Sequence, residues 1–247
     1  MRYIVLKISR DDVSSTELTE FPVATRFIKL PIKRYLEMLG AYETMNAPQI
    51  ALINAINNPK YRFVCAAFAR RLGKTYIANV IAQFISLVPG YNVLIISPNY
   101  NLSSISFELQ RKFIKHFDLE VERDNLKDRI IELSNGSTVR MGSLSTVDST
   151  VGRSYQLILF DEAALGSNGE EAFNIQLRPT LDRAGSKAIF ISTPRGMLNW
   201  FSRFWQRGFN PEFPEWCSLQ ADYTENPRMQ EVDVAEARHL MEHGRRD

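Results

Sequence analysis

Cysteine is nearly missing: Cys65 and Cys217 are the only two in 247 residues. That is too few for the disulfide framework that staples small secreted domains, and a reducing compartment fits best. Histidine is almost as scarce, with three residues. His239 and His243 flank Glu242 in an H-x-x-E-H spacing, which puts two imidazoles on one helix face. A catalytic zinc there needs a third protein ligand further on. Only Gly244, Arg245, Arg246 and Asp247 remain, so the pair reads as solvated histidines on a terminal helix, and His116 stands alone. No apolar run approaches the roughly 20 residues of a membrane span. The first short one, Tyr3 to Leu6, meets Lys7, Arg10, Asp11 and Asp12 at once, which is too brief for a signal segment. Net charge is small too. Thirty basic residues against 28 acidic ones leave +2, so bulk electrostatics neither demands nor excludes a polyanionic partner. Repeats and low-complexity tracts are absent, which excludes a solenoid or a long flexible linker.

What the chain has in quantity is core material. At 45% hydrophobic residues it can fill one large α/β domain, or one domain with a small appendage. Pro31 to Leu39 and Pro48 to Ile56 read as two short helices with a proline in the first turn, preceding the core rather than building it. Tyr61 to Ala67 is an apolar strand that ends in an arginine-rich loop, and Gly73 to Leu87 follows as a helix. Asn92 to Ser97 is a second buried strand, stopped by Pro98 and followed by a helix from about Leu102 to His116. Arg129 to Leu133 and Ser137 to Met141 flank Ser134-Asn135-Gly136, whose Asn-Gly pair takes positive φ readily; an antiparallel hairpin is expected. Tyr155 to Phe160 and Lys187 to Ser192 are two more buried strands. Apolar strands alternating with helices predict a mainly parallel sheet covered on both faces, with its ligand beyond the carboxyl ends of the strands.

Three polar clusters fall at such ends. Gly73-Lys74-Thr75 opens a helix, where unpaired N–H groups and the helix dipole favour a phosphate. Lys74 would reach the β and γ phosphates, and the Thr75 hydroxyl would bind Mg²⁺. The usual glycine five positions before Gly73 is replaced by Phe68. Leu157-Ile158-Leu159-Phe160 buries a strand and presents Asp161 and Glu162 at its end. Asp161 would orient the Mg²⁺ shell and Glu162 would polarise a water; an acidic pair that merely caps a helix is the plainer alternative. Ser192-Thr193-Pro194 ends a third strand, with small hydroxyls able to sense the γ-phosphate or simply to make a turn. Upstream, Gln49 offers one donor and one acceptor, which suit an adenine edge as well as they suit solvent.

Arg70-Arg71-Leu72-Gly73-Lys74-Thr75, Leu159-Phe160-Asp161-Glu162-Ala163-Ala164 and Ser192-Thr193-Pro194-Arg195-Gly196, with Pro48-Gln49 in front, together resemble the large terminase subunit of tailed bacteriophages. The likeness spans about Pro48 to Gly196. Members of that family tolerate a phosphate loop with an arginine and without its first glycine, so Phe68 fits them. The resemblance implies a P-loop NTPase of the RecA or helicase type, α/β, with a mainly parallel sheet flanked by helices and a small lid subdomain. Its regions would be 1–57 as an N-terminal helical or lid part, 58–210 as the ATPase core, and 211–247 as lid and linker.

Residue by residue, the resemblance makes Gln49 the adenine-side contact and Arg70 or Arg71 the arginine near the γ-phosphate. Leu72 and Gly73 complete the loop, and Lys74 with Thr75 binds phosphate and Mg²⁺. Asp161 and Glu162 match the metal-orienting and catalytic carboxylates, and Ser192, Thr193 and Pro194 match the coupling motif. Arg153, in Thr150-Val151-Gly152-Arg153-Ser154, stands where the family places an arginine acting across a subunit boundary; an ordinary surface arginine is the other reading. ATP and Mg²⁺ are the implied cofactors. The implied partners are double-stranded DNA gripped without regard to sequence, the portal and the small terminase subunit. A ring of copies on the portal, a monomer when isolated, and a place in the cytoplasm of the bacterial host follow. Large terminases also carry a C-terminal nuclease of the ribonuclease H type, and Asp222 to Pro227 look like the approach to it; no nuclease activity is expected of this chain. Two other readings stay open, a helicase-like ATPase of repair or remodelling and a nucleotide-binding assembly module that does not hydrolyse.

Overall fold

The structure is a computed structural model that describes residues 4–5, 27–28, 31–150 and 152–226. Two short strands, β1 (Ile4–Val5) and β2 (Phe27–Ile28), pair antiparallel with each other. The body runs α1 (Ile32–Met38), α2 (Ala47–Asn57), β3 (Phe63–Phe68), α3 (Lys74–Ser86), β4 (Asn92–Ser97) and α4 (Tyr100–His116). It continues with β5 (Val121–Asn125), β6 (Ile130–Leu133), β7 (Thr138–Ser143), β8 (Leu157–Phe160) and α5 (Gly169–Glu171), whose coil widens into a π-helical turn over Ala172–Leu177. Last come β9 (Lys187–Ser192), α6 (Trp200–Arg207) and β10 (Trp216–Ala221).

Eight strands form one sheet in the order β10-β3-β9-β8-β4-β7-β6-β5. The six from β10 to β7 run parallel, and β6 and β5 extend the sheet antiparallel. The mainly parallel α/β sheet expected from the sequence is therefore present. Strand alternation sorts the core into two layers. Val64, Ala66, Val93, Ile95, Leu157, Leu159, Ile189 and Ile191 point toward the helices of one face. Phe63, Cys65, Leu94, Ile158, Phe160, Ala188 and Phe190 point to the other face, onto Phe173, Trp200, Phe204 and Trp216. Phe190 stacks on Phe160 with centroids 4.9 Å apart and meets Phe173 edge-on at 4.9 Å. Burying each such ring contributes about 1.5–3 kcal/mol. The hairpin appears as expected, with Gly136 in its turn at φ 79°, though its second strand β7 also joins β4.

Two regional expectations need correction. The helices before residue 58 do build the core: Tyr35, Leu36, Leu52 and Ile56 are buried in the same layer as Val64 and Ile189. Tyr35 stacks on Phe117 and tilts against Phe84, contacts between distant segments that local periodicity does not reveal. Residues 216–221, expected in a lid or linker, form the edge strand β10, pairing parallel with β3 from Trp216↔Phe63 to Ala221↔Phe68. An edge strand needs few β-branched residues, and Trp-Cys-Ser-Leu-Gln-Ala gives little strand signal. No described helix is long and apolar enough to cross a membrane.

Candidate active site at the carboxyl rim

The ends of β3, β8 and β9 lie level at one rim, since Ala67 pairs with Ser192 and Phe160 with Phe190. From β3 the chain turns through a short loop whose start is pinned by Ala69 N–H donating to Ala221 O at 2.9 Å. Arg71 (φ 65°) and Gly73 (φ 69°) are both left-handed, and the Leu72 side chain between them is sunk in the core. Glycine is favoured at 73 because its φ is positive; a Cβ there would lie 2.4 Å from Gln49 Nε2 and would push that amide aside. Left-handed turns of this kind ahead of a helix are a backbone geometry in which N–H groups can converge on an anion.

Lys74, 7% exposed, projects from that first turn into the rim. Its Nζ donates to Thr193 Oγ1 at 2.9 Å across 119 residues and pairs with Glu162 Oε1 at 3.0 Å. Thr75 Oγ1 donates to Asp161 Oδ1 at 3.0 Å. Asp161 continues the β8 ladder, its N–H donating to Ile96 O at 2.8 Å. Burial pushes its carboxyl up to about 6 from 3.8, against the opposing help of the Thr75 hydroxyl. Glu162 takes a left-handed turn at φ 51°, which for a non-glycine residue costs about 1–3 kcal/mol. That turn brings its Oε2 within 3.4 Å of Thr193 N–H and 3.5 Å of Ser192 Oγ. Ser192 Oγ in turn accepts the Ala164 N–H at 3.1 Å, tying the strand end of β9 to the segment after Glu162. The three sequence clusters thus form one connected set of charge-assisted contacts.

Other expected residues fall nearby or elsewhere. Arg70 and Arg71 are exposed on the loop and have no ion-pair partner among the described residues. Pro194 follows the cluster into an exposed turn. Gln49 is buried, and both ends of its amide are engaged: Oε1 accepts the Asn46 N–H at 3.1 Å and Nε2 donates to Gly73 O at 3.5 Å. Arg153 is not brought to the rim. Its neighbour Ser154 is held through its carbonyl by Asn92 Nδ2 at 3.0 Å, at the amino end of β4, one strand length or about 20 Å from the cluster. The His239–His243 pair lies outside the described residues, and the His116 ring meets Met38 O.

Sequence reasoning passed over Asn46, which donates to Leu72 O at 3.2 Å, and Asn79, which donates to Thr75 O at 2.9 Å. Asn46-Ala47-Pro48-Gln49 did carry a signal, a helix-capping pattern, but that pattern says nothing of a second partner.

Comparison with known proteins bears on the same rim. The family model described as terminase large subunit, T4likevirus-type, N-terminal, matches residues 65–245. The chain belongs to the terminase large subunit family. It is 45% identical over 233 residues to the large terminase subunit of Escherichia phage T5, covering 94% of this chain and 52% of that protein. It thus spans about half the length of that relative. Its fold is that of solved large terminase ATPase domains. The domain from Thermus phage P74-26 superposes with a TM-score of 0.64 at 23% identity, covering 84% of this chain and 89% of that one. The large terminase of a thermophilic bacteriophage solved with ADP gives 0.62 at 15% identity, over 79% of this chain and 50% of that one.

Proposed function

We propose that this chain is the ATPase motor part of a DNA-packaging terminase, coupling Mg-ATP hydrolysis to sequence-independent movement of double-stranded DNA into a procapsid. The observation that carries the reading is the convergence of Lys74 with Glu162 and of Thr75 with Asp161 at one rim. Membership of the terminase family supports DNA and a viral shell as the setting of this reading.

The residues suit a triphosphate with a hard cation. An oxygen-only pair, the Thr75 hydroxyl and the buried Asp161 carboxylate, fits Mg²⁺, which takes one or two protein oxygens and leaves the rest to phosphate and water. Burial raises Asp161's pKa, and a cation bound beside it would offset that cost. Bound there, Mg²⁺ would neutralise phosphate charge and fix the phosphates' orientation. Lys74 Nζ is shared between Glu162 and Thr193, so a γ-phosphate competing for it would release Glu162 Oε1 to orient a water and accept its proton. Ser192 and Thr193, in contact with the same carboxylate, would register that exchange and pass it through Ala164 to the segment beyond. Arg70 or Arg71 would stabilise phosphate charge from the loop. Arg153, far from its own rim, suits a role at a neighbouring copy's phosphates in a ring. Portal and small subunit are the remaining partners of this reading.

The test is phosphate release by the wild-type chain and by Glu162→Ala. The variant should keep nucleotide binding and lose about 10²–10⁴-fold in turnover. Undiminished hydrolysis would remove Glu162 as base. ATP binding by the wild type without any release, even with DNA and partners, would instead favour the non-hydrolysing assembly module.

A further inference from the structure

The Leu72–Gly73 peptide joins the buried Leu72 side chain to the first turn of α3. Rotating it by half a turn would exchange the Gly73 N–H for the Leu72 carbonyl on the inner side of the loop, replacing a donor to phosphate with a repelling oxygen. On the glycine side this rotation is cheap, because Gly73 occupies positive and negative φ about equally well. Its orientation is therefore decided by what holds the Leu72 carbonyl. Among the described residues that carbonyl meets one donor, Asn46 Nδ2 at 3.2 Å. The Gly73 carbonyl is held by Ile77 N–H at 3.0 Å and more loosely by Gln49 Nε2 at 3.5 Å. Asn46 and Gln49 also cap α2 reciprocally, Asn46 Oδ1 accepting the Gln49 N–H at 3.0 Å while Gln49 Oε1 accepts the Asn46 N–H at 3.1 Å. Each amide thus spends its oxygen on the helix and its nitrogen on the loop.

We infer that Asn46 is a positioning residue for nucleotide binding, fixing the Leu72–Gly73 peptide with its N–H toward the phosphates, and that Gln49 assists from the same helix start. This rests on the proposed ATP site. It also gives Gln49 a role at the loop, since its amide oxygen serves the helix cap while its nitrogen meets the Gly73 carbonyl. The mechanism has a definite signature. If a share of molecules holds the peptide reversed, the apparent affinity falls by that share, because only the competent loop binds. Saturating nucleotide collects the competent form, so turnover at saturation stays as it was. Losing Asn46 should therefore raise KM and leave kcat in place.

Serine separates the two duties of Asn46. It caps helices about as well as asparagine, carries no charge and ends short of the Leu72 carbonyl, whereas alanine loses the cap as well. The experiment measures, for wild type, Asn46→Ser and Asn46→Ala, the dissociation constant of a non-hydrolysable ATP analogue, KM, kcat and Tm. The expected result is a roughly tenfold weaker dissociation constant and higher KM in both variants, the loss of about one hydrogen bond, with kcat kept. Tm should fall in Asn46→Ala alone. Wild-type affinity in Asn46→Ser would overturn the clamp and leave the ATPase reading intact. So would weakened binding that appears only alongside a fall in Tm, since that is what a capping role alone produces. A wild-type chain that binds no nucleotide overturns the ATPase reading and the clamp together.

Discussion

Two buried lysines sit near opposite ends of the sheet, and their partners differ in kind. Lys187, 5% exposed at the start of β9, donates to the backbone carbonyls of Asn58 at 2.7 Å and of Tyr61. Lys74, 7% exposed at the start of α3, is held by two side chains, the Glu162 carboxylate and the Thr193 hydroxyl. Carbonyls fixed in the chain cannot rotate away, so these two contacts make Lys187 a staple between β9 and the segment after α2. Side-chain partners can rotate away, and Lys74 can exchange them for an incoming anion. Equal burial thus marks structure in one place and chemistry in the other. The partner's freedom to leave makes the difference.

Truncating both lysines breaks the comparison most sharply. Lys74→Ala should cut hydrolysis by at least a hundred- to thousandfold, the order seen when one stabiliser of transition-state charge is removed, while the chain stays folded. Lys187→Ala should keep nucleotide binding and lose about 2–4 kcal/mol of stability, because two carbonyls lose a buried donor. Chemical denaturation and phosphate release measured on both variants check this, and a stability loss confined to Lys74→Ala would reverse the assignment.

A smaller effect is expected at Asp161. Its folded pKa of about 6 lies above the ordinary 3.8, so the proton favours folding. That contribution is complete below about pH 4 and is lost as pH rises through about 6. In the nucleotide-free chain, Asp161→Asn should therefore raise Tm at pH 8 and flatten its fall between pH 4 and 7. Scanning calorimetry across that range would show parallel curves if burial of the charge carried no cost.

The smallest effect on the single chain is predicted for Arg153→Ala. Nucleotide affinity should be unchanged, and only the rise of specific activity with protein concentration should vanish. A wild-type activity that is flat with concentration would remove the role at a neighbour's site.

The central strands and the rim clusters were legible because an apolar run ending in polar residues is a local pattern. Val93 to Ile96 and Leu157 to Phe160 lie under cover on both faces, and their sequences carry nothing but burial. Strand β5, Val-Glu-Arg-Asp-Asn, was passed over because it is exposed, and a solvated edge strand has no apolar face to betray it. The place of α1 in the core was hidden for another reason: Tyr35 earns its burial only once Phe84 and Phe117 are beside it. At the site, the types at 74, 75, 161 and 162 announced a charge-bearing pocket. The commitments of the Gln49 and Asn46 amides became visible only when α2 was set against the loop.

Phe68 stands where the commoner phosphate loop has a glycine, and its ring is almost wholly enclosed at the end of β3. The bend is then compressed into the five residues from Ala69 to Gly73, with its start tied to Ala221 and its far end anchored by the Leu72 side chain. A collar so short, once Asn46 holds its last peptide, has little slack with which to wrap an arriving guest. It acts as a rigid seat, and the motion that accompanies occupancy is left to the carboxylate and hydroxyls on the opposite wall.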